Sequence, residues 1–174
     1  MIETLILRSN NIGPQGAEAI GKAFAYNSTI SHFDISNNAI GMEGGMAIAA
    51  SLQINPVLIR VFVSGCSIPP AAMIALTTVL QSNNDIEVLD ISNNLIGSAS
   101  LSQTCITNVM QHLASTFEDN YGLKNVFLSK LGITDWIITD FLAGAIRLNQ
   151  NLVTIDLSRY KVSDLVTKYH VMAA

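Results

Sequence analysis

Residues 30–40 read ISHFDISNNAI and residues 86–96 read IEVLDISNNLI, so the two stretches share one pattern. In both stretches, apolar side chains occupy the first, fourth, sixth and eleventh positions, and an asparagine occupies the ninth. Alternating apolar positions predict a short strand with one buried face, and the following Ser-Asn-Asn predicts a turn. The shared pattern indicates that the chain repeats one small structural unit.

The same spacing occurs six times, with copies that begin at residues 2, 30, 58, 86, 123 and 152. The distances between successive starts are 28, 28, 28, 37 and 29 residues. The last two copies are weaker, because Leu131 and Tyr160 replace the asparagine. A single unit of this size cannot bury its own apolar face, but stacked units share one continuous core. We therefore expect residues 1–174 to form a single repeat domain.

A helical periodicity follows the strand pattern in five of the copies. Small or apolar residues recur at the spacing of one buried helical face, as in the first set, Gly16, Ala17, Ile20, Ala23 and Phe24. Small residues at its first two positions predict a close approach of the helix to the strand layer. Asparagine tolerates the left-handed backbone that ends many helices. We therefore predict helix C-caps at the asparagine that follows each helix: Asn27, Asn55, Asn83, Asn120 and Asn149.

This arrangement resembles the leucine-rich repeat family, specifically its 28-residue, ribonuclease-inhibitor-like class. The residues that carry the resemblance are NNIGPQGA at 10–17 and DISNN at 34–38 and 90–94. The resemblance implies an α/β solenoid, a horseshoe arc with a parallel β-sheet on its concave face and α-helices on its convex face. It also implies a ladder of capping side chains at Asn10, Asn38, Cys66 and Asn94. Since Leu131 and Tyr160 depart from the pattern, we expect the ladder to weaken toward the C-terminal half.

The composition excludes several classes of protein. The chain is 49% hydrophobic and 13% charged, which excludes a disordered chain, and its apolar runs are too short for a membrane span. The net charge of −4 argues against nucleic-acid binding. Cys66 and Cys105 fit no zinc-binding spacing, and no signal peptide precedes the first strand. We therefore expect reduced thiols and an intracellular, cytoplasmic protein, or a secreted effector delivered into a host cytosol.

Strand alternation allows the inner wall of the arc to be read from the sequence. The central row on this wall is predicted to contain Ile6, Asp34, Phe62, Asp90, Phe127 and Asp156. Solvent-facing aromatic side chains beside charges are typical of protein-binding hot spots. We therefore predict that Arg60, Phe62, Asp90 and Phe127 contact a partner.

Departures from the repeat pattern point to the edge where strands lead into helices. The fourth copy has twelve residues (97–108) where earlier copies have three, so nine residues are inserted there. The fifth copy has four residues at this place, 134–137, which include the only tryptophan, Trp136. The third copy has Pro69-Pro70. We expect three neighbouring loops that form one rim, with Trp136 as a further contact residue. The insertion could instead extend the helix or form a neutral loop, and Trp136 could instead pack against it.

Catalytic readings of the polar residues fail on geometry. His32, Asp34 and Ser36 would face one side of a strand, but about 7 Å would separate each from the next, whereas a triad needs contacts near 3 Å. The aspartates of the central row lie on non-adjacent strands and are too far apart to share a metal. We therefore expect no catalytic residue, no metal and no cofactor.

The two ends of the array lack an evident polar cap. Residues 2–12 begin the first strand at once, and the segment after Val162 could form only a short sixth helix capped by Ser163. Because end repeats expose one apolar side, we expect either a fragment of a longer array or self-association through the ends.

The family resemblance implies a non-catalytic scaffold that binds a protein through the concave sheet and the rim. Alternatives are a regulator of an enzyme such as a small GTPase, a regulator of actin assembly, a bacterial effector that acts on host proteins, and a spacer between other modules.

Overall fold

Six three-residue strands form one parallel sheet, in which each strand pairs with the next along the chain. The computed structural model describes residues 1–97 and 102–158. The strands are β1 (Thr4–Ile6), β2 (His32–Asp34), β3 (Arg60–Phe62), β4 (Val88–Asp90), β5 (Asn125–Phe127) and β6 (Thr154–Asp156). Their order confirms the predicted parallel sheet of a leucine-rich-repeat solenoid.

A helix follows each of the first five strands and covers the other face of the sheet. The helices are α1 (Pro14–Phe24), α2 (Gly41–Ile54), α3 (Pro70–Leu80), α4 (Gln103–Asp119), α5 (Asp135–Ile137) and α6 (Ala143–Leu148). A π-helical turn over Ile138–Leu142 joins α5 to α6. Proline occupies the first turn of α1 and α3, where its missing N–H breaks no hydrogen bond. The predicted sixth helix, around residues 163–172, lies outside the described residues.

The core runs continuously between the sheet and the helices. The middle residue of β2, β3, β4 and β5 is fully or almost fully buried, and Phe24 of α1 meets Phe33 of β2 edge-on at 4.5 Å between ring centroids. The predicted helical face is buried throughout α2. In α1, Gly16 and Ala23 are exposed because that part of the face is directed away from α2. Thr139, also predicted to lie on the buried face, is exposed within the π-helical turn.

Gly44 and Gly45 of α2 set the distance between neighbouring helices. A Cβ atom on Gly44 would lie 2.7 Å from the Cβ of Ala17 in α1, and one on Gly45 would lie 2.9 Å from the Cβ of Ala72 in α3. Both distances are shorter than a carbon–carbon contact allows. The small residues therefore allow the adjacent helices to approach closely, whereas their predicted effect on the approach to the strand layer stays a prediction.

Asn38 joins the first two coils beyond the strands. Its Oδ1 accepts hydrogen bonds from the backbone N–H of Asn10 and of Ile12, both at 2.9 Å. Its Nδ2 donates to the carbonyls of Leu7 at 2.9 Å and Ile35 at 2.6 Å. One amide thus satisfies four backbone groups on two coils, in a region where the sheet no longer pairs them. This arrangement confirms the ladder that the resemblance implies.

The ladder continues with Asn94 and is interrupted at two positions. Asn94 accepts from the N–H groups of Cys66 and Ile68 at 3.1 and 3.0 Å. The thiol of Cys66 donates to the Ile35 carbonyl at 3.4 Å, a weaker contact than an amide makes. Leu131 is buried and carries no polar side-chain atom, so the amide ladder does not extend to it. The expected weakening toward the C-terminal half is therefore observed as far as Leu131; Tyr160 lies outside the described residues.

The predicted helix C-caps are confirmed at Asn55, Asn120 and Asn149, whereas α1 and α3 are capped by Ala25 and Gln81. The left-handed backbone expected at these asparagines is wrong. None of the five asparagines that follow the helices has a positive φ, and Asn55, Asn120 and Asn149 have φ of −92°, −85° and −73°. Left-handed backbone occurs instead in the turns after the strands, for example at Asn37 and Asn93 with φ of 58° and 55°.

The asparagines after the helices form a second ladder, which explains their extended backbone. Nδ2 of Asn120 donates to the carbonyls of Leu80 and Asn83 in the preceding coil, at 2.6 and 2.8 Å. Its Oδ1 accepts from the N–H groups of Gly122 and Leu123 in its own loop, at 2.9 and 2.7 Å. The donor contact to the preceding coil recurs in three further asparagines: Asn55, Asn83 and Asn149. Two amide ladders therefore flank the sheet.

Two predicted loops are partly helical. Helix α4 begins at Gln103, so residues 103–108 of the insertion lengthen this helix to 17 residues, and the Oγ of Ser102 caps it by accepting from the N–H of Cys105. Residues 98–101 of the insertion lie outside the described part. Asp135–Ile137 form the short helix α5, whose hydrogen bonds begin at the carbonyl of Thr134. Of the two alternatives for the insertion, a longer helix is therefore confirmed for residues 103–108.

The side of the first coil that is directed away from the second is only partly covered. Ile2 is 67% exposed, and Leu5, Leu7 and Ile12 are half-buried, whereas the equivalent Phe33, Ile35 and Ile40 are fully buried. Self-association through this side stays a prediction.

We expect Asn120→Ala to lower the free energy of unfolding by about 2–4 kcal/mol, because it leaves buried backbone groups without partners. Asn108→Ala is the matched control, because Asn108 is an exposed residue of α4, and its effect should stay within about 0.5 kcal/mol. Urea unfolding measures both. Equal effects of the two substitutions would contradict the second ladder.

Restoring the missing amide in the first ladder should stabilise the protein. We expect Cys66→Asn to raise the free energy of unfolding by about 1 kcal/mol, and Cys66→Ala to lower it by a similar amount. Both effects concern the carbonyls of Ile35 and Ser64, to which the Cys66 thiol donates. An amide donates to them more strongly than a thiol, and alanine cannot donate at all.

The same variants should differ at alkaline pH. Burial raises the pKa of the Cys66 thiol from 9.0 to about 11. Its contribution to stability is present below pH 9.0 and is lost as the pH rises toward about 11, since the unfolded chain releases the proton first. Urea unfolding near neutral pH and near pH 10 should show a larger loss for the wild-type chain than for Cys66→Asn. Equal losses would contradict this origin of the pH dependence.

Candidate protein-binding surface

Parallel pairing brings four of the five predicted contact residues onto three adjacent strands. Asp90 of β4 is in register with Phe62 of β3 on one side and with Phe127 of β5 on the other. Arg60 begins β3 and is in register with Val88 of β4. All four side chains alternate with the buried middle residues of their strands, so they lie on the concave face.

Phe62 is half-buried and is held against a neighbouring ring. The imidazole of His32 stacks on it with ring centroids 5.2 Å apart and an angle of 22° between the planes. The repeat pattern does not predict this contact, and the sequence suggests for His32 only the rejected triad. The signal that could have found it is the register, which places His32 diagonally across from Phe62 on the adjacent strand.

The aspartates of the central row serve the turns that follow their strands. Oδ1 of Asp34 accepts from the N–H of Ser36, and Oδ1 of Asp90 accepts from the N–H of Ser92, both at 2.9 Å. Oδ2 of Asp34 also pairs with Nε of Arg8 at 3.1 Å. Asp34 is therefore occupied within the protein, and its side chain is largely buried.

Arg60 and Asp90 form no ion pair with another of the described residues. The ion pairs of residues 1–97 and 102–158 join Arg8 to Asp34, Lys22 to Glu18 and Lys124 to Glu87. Neither Arg60 nor Asp90 takes part in any of these pairs. Arg60 is exposed and Asp90 is half-buried, so both can reach a bound molecule.

Trp136 lies apart from the other four residues. It belongs to α5 rather than to a loop, is 37% exposed, and meets Phe141 edge-on at 5.7 Å between ring centroids. The ring partner of Trp136 is Phe141, and packing against the insertion stays an alternative, since residues 98–101 lie outside the described part. The indole lies at the rim, on the side of the sheet where the strands lead into helices.

The residues considered for catalysis do not assemble. His32 stacks on Phe62, and Asp34 binds Arg8 and the backbone of Ser36, so no hydrogen bond links the three side chains of the rejected triad. Within the described residues, no group of three or more His, Cys, Asp or Glu side chains could hold a metal ion. The same part of the chain contains no helix long and apolar enough to span a membrane.

The opposite edge of the sheet carries exposed apolar residues that the sequence analysis does not single out. At this edge, where helices lead into strands, Tyr26 is 92%, Ile54 is 61% and Tyr121 is 69% exposed. Leu148 and Val153 add to this set at 63% and 78%. These residues lie near the asparagines that follow the helices, so the repeat pattern itself places them at this edge. We call this set the helix-to-strand edge.

Comparisons with known proteins agree with this fold. A family described as "Leucine Rich repeat" matches residues 1–21 and 26–49, which lie within the first two coils. No curated protein matches the sequence.

Two solved structures have the same fold. Actin-binding site 2 of leiomodin-1 aligns with a TM-score of 0.60 at 12% identity, over 98% of this chain and 78% of that chain. The C-terminal domain of tropomodulin from Caenorhabditis elegans aligns with a TM-score of 0.61 at 12% identity, over 99% of this chain and 81% of that chain. At this level of identity the likeness concerns the fold.

The contacts of Asp34 predict unequal effects of two substitutions. Asp34→Ala removes an ion pair and a buried acceptor for the Ser36 N–H, and should lower the free energy of unfolding by about 2 kcal/mol. Arg8→Ala removes a half-exposed partner and should cost less than about 1 kcal/mol. Thermal or urea unfolding measures both. A larger loss for Arg8→Ala would contradict the role of Asp34 in the turn.

Proposed function

We propose that the chain, whose first two coils match a leucine-rich-repeat family and whose fold is that of the two solved structures, binds a protein partner through its concave sheet. The observation that carries this proposal is the row Phe62, Asp90 and Phe127 on three adjacent strands. Aromatic side chains beside a charge are the composition of binding hot spots, in which a few residues supply most of the binding energy.

The position of these residues favours a role in binding over a role in folding. The core has its own aromatic side chains, among them Phe24, Phe33 and Phe117, which are almost fully buried. Phe62 and Phe127 lie on the other face of the sheet and remain partly accessible. A partner that covers them would remove apolar surface from water, which stabilises the complex by roughly 25 cal/mol per Å² of that surface.

The proposed surface includes the rim next to β5. Trp136 lies in α5, beyond the strand-to-helix end of β5, and is 37% exposed. A partner that enters the concave face and continues over this rim would contact both. The proposal assigns no chemical step to the protein, and the surface acts by recognition alone.

An actin-binding role is a second candidate, because one structural neighbour is actin-binding site 2 of leiomodin-1. Co-sedimentation of the protein with filamentous actin tests it directly. Recovery in the pellet that saturates with protein concentration would support this role, and recovery equal to that of the protein without actin would contradict it.

Substitution of both concave phenylalanines should weaken partner binding. We expect Phe62→Ala combined with Phe127→Ala to weaken the affinity at least about tenfold, since such residues contribute more than about 1 kcal/mol each in hot spots. The measurement is capture of proteins from a lysate of the cells of origin on the immobilised chain, followed by mass spectrometry and titration of the recovered partner.

The matched control is Ile54→Ala combined with Tyr121→Ala, which removes comparable apolar surface from the helix-to-strand edge. Proteins that bind the wild-type chain and this control, but not the concave variant, support the proposal. Full retention by the concave variant, with thermal unfolding that shows a folded chain, would contradict it.

A further inference from the structure

Asp34 and Asp90 occupy the same place in their coils but differ in one contact. Each carboxylate uses Oδ1 to hold the N–H of the serine two residues later. Oδ2 of Asp34 also binds the guanidinium of Arg8, which belongs to the preceding coil. The residue that corresponds to Arg8 in the coil before Asp90 is Ser64. The protein thus supplies a guanidinium to the first carboxylate and not to the second.

The flanks of Asp90 suit the same kind of group. Phe62 and Phe127 lie one strand away on either side, so their Cα atoms are separated by about 10 Å at ordinary strand spacing. A planar cation placed above Asp90 would lie about 5 Å from each aromatic position, within the roughly 6 Å over which cation–π attraction acts. A guanidinium can stack on such rings while it pairs with a carboxylate, which an ammonium group does less well.

We propose that the space above Asp90, between Phe62 and Phe127, receives an arginine side chain of the partner. This inference rests on the proposed function, since it names the chemistry that the concave face recognises. The carboxylate supplies the charge, the two rings supply stacking faces, and His32 holds the ring of Phe62 in place. The partner therefore presents an exposed basic segment to an acidic protein of net charge −4.

Among the described residues, Asp90 is the acid of the central row that has an aromatic residue in register on both sides. Asp34 has only Phe62, and Asp156 has only Phe127. Asp34 is already paired and largely buried, so it offers no second cation site. Arg60 begins β3, diagonally across from Asp90, and forms no ion pair with it. A partner arginine is thus directed to Asp90 rather than distributed along the row.

The test uses the full chain, labelled with ¹⁵N, and two short capped peptides as probes. One peptide carries arginine between glycine and serine residues, and the other carries citrulline, which has nearly the same shape and no charge. We expect saturable shifts of the backbone amides of residues 88–92 and 125–129 with the arginine peptide. The citrulline peptide should bind at least about fivefold more weakly, as the loss of about 1 kcal/mol implies.

Three substitutions assign the effect to this site. Asp90→Asn should weaken binding of the arginine peptide about fivefold, and Phe127→Leu should weaken it about threefold while keeping an apolar side chain there. Asp85→Asn is the matched control, because Asp85 is an exposed acid at the other edge of the sheet. It should leave the affinity unchanged.

Equal binding of the two peptides, absence of saturable shifts, or an unchanged affinity in Asp90→Asn would each overturn the arginine site. These outcomes differ from failure of the proposed function. A partner that is lost from the variant with both phenylalanines replaced, but is kept by Asp90→Asn, would preserve concave binding and refute only the arginine site. If the arginine peptide binds as described but the partner binds the variant without Phe62 and Phe127 as tightly as the wild-type chain, only the proposed function would be refuted.

Discussion

Backbone hydrogen bonding between successive coils is the constraint on which the structure depends. Each strand has only three residues, so the sheet satisfies few of the polar groups in a 28-residue coil. Buried N–H and C=O groups without partners cost about 1–3 kcal/mol each, and a stack of coils would leave many of them at its turns. Asn38 and Asn94 meet this requirement after the strands, and Asn55 and Asn120 meet it after the helices. The amide of one coil binds the backbone of the coil before it, so hydrogen bonding and stacking are coupled.

Because the two ladders and the core stabilise the fold, the concave side chains are available to bind a partner. The ladders and the core fix the backbone from the two edges and from the helical side, while the first and third residues of each strand contribute little to the core. Asp90 has both roles, because its Oδ1 secures a turn while its side chain stays half-buried at the concave surface. Phe62, Asp90 and Phe127 can therefore combine on one row without disturbing the repeat, and the array keeps them at fixed spacing.

The repeat spacing predicts the strands, their order and the concave row, because a parallel register follows once equivalent residues are 28 positions apart. Local propensity misleads at the asparagines after the helices, since a left-handed cap and a bridge between coils need the same residue type. Only the position of the preceding coil distinguishes them. The start of α4 at Gln103 and the helical position of Trp136 in α5 are also not predicted by the pattern, because insertions carry no periodic signal. The pairing of Arg8 with Asp34 and the stacking of His32 on Phe62 depend on side-chain directions that the spacing alone does not fix.

The central claim is that the concave row is the surface that a partner covers. Hydroxyl-radical footprinting of the full chain, with and without the captured partner, tests it residue by residue, because aromatic side chains are oxidised in proportion to their exposure. The account predicts that oxidation of Phe62, Phe127 and Trp136 falls in the complex, while oxidation of Tyr26 and Tyr121 stays the same. Protection of Tyr26 and Tyr121 with unchanged oxidation of Phe62 and Phe127 would contradict it and would place the partner on the helix-to-strand edge.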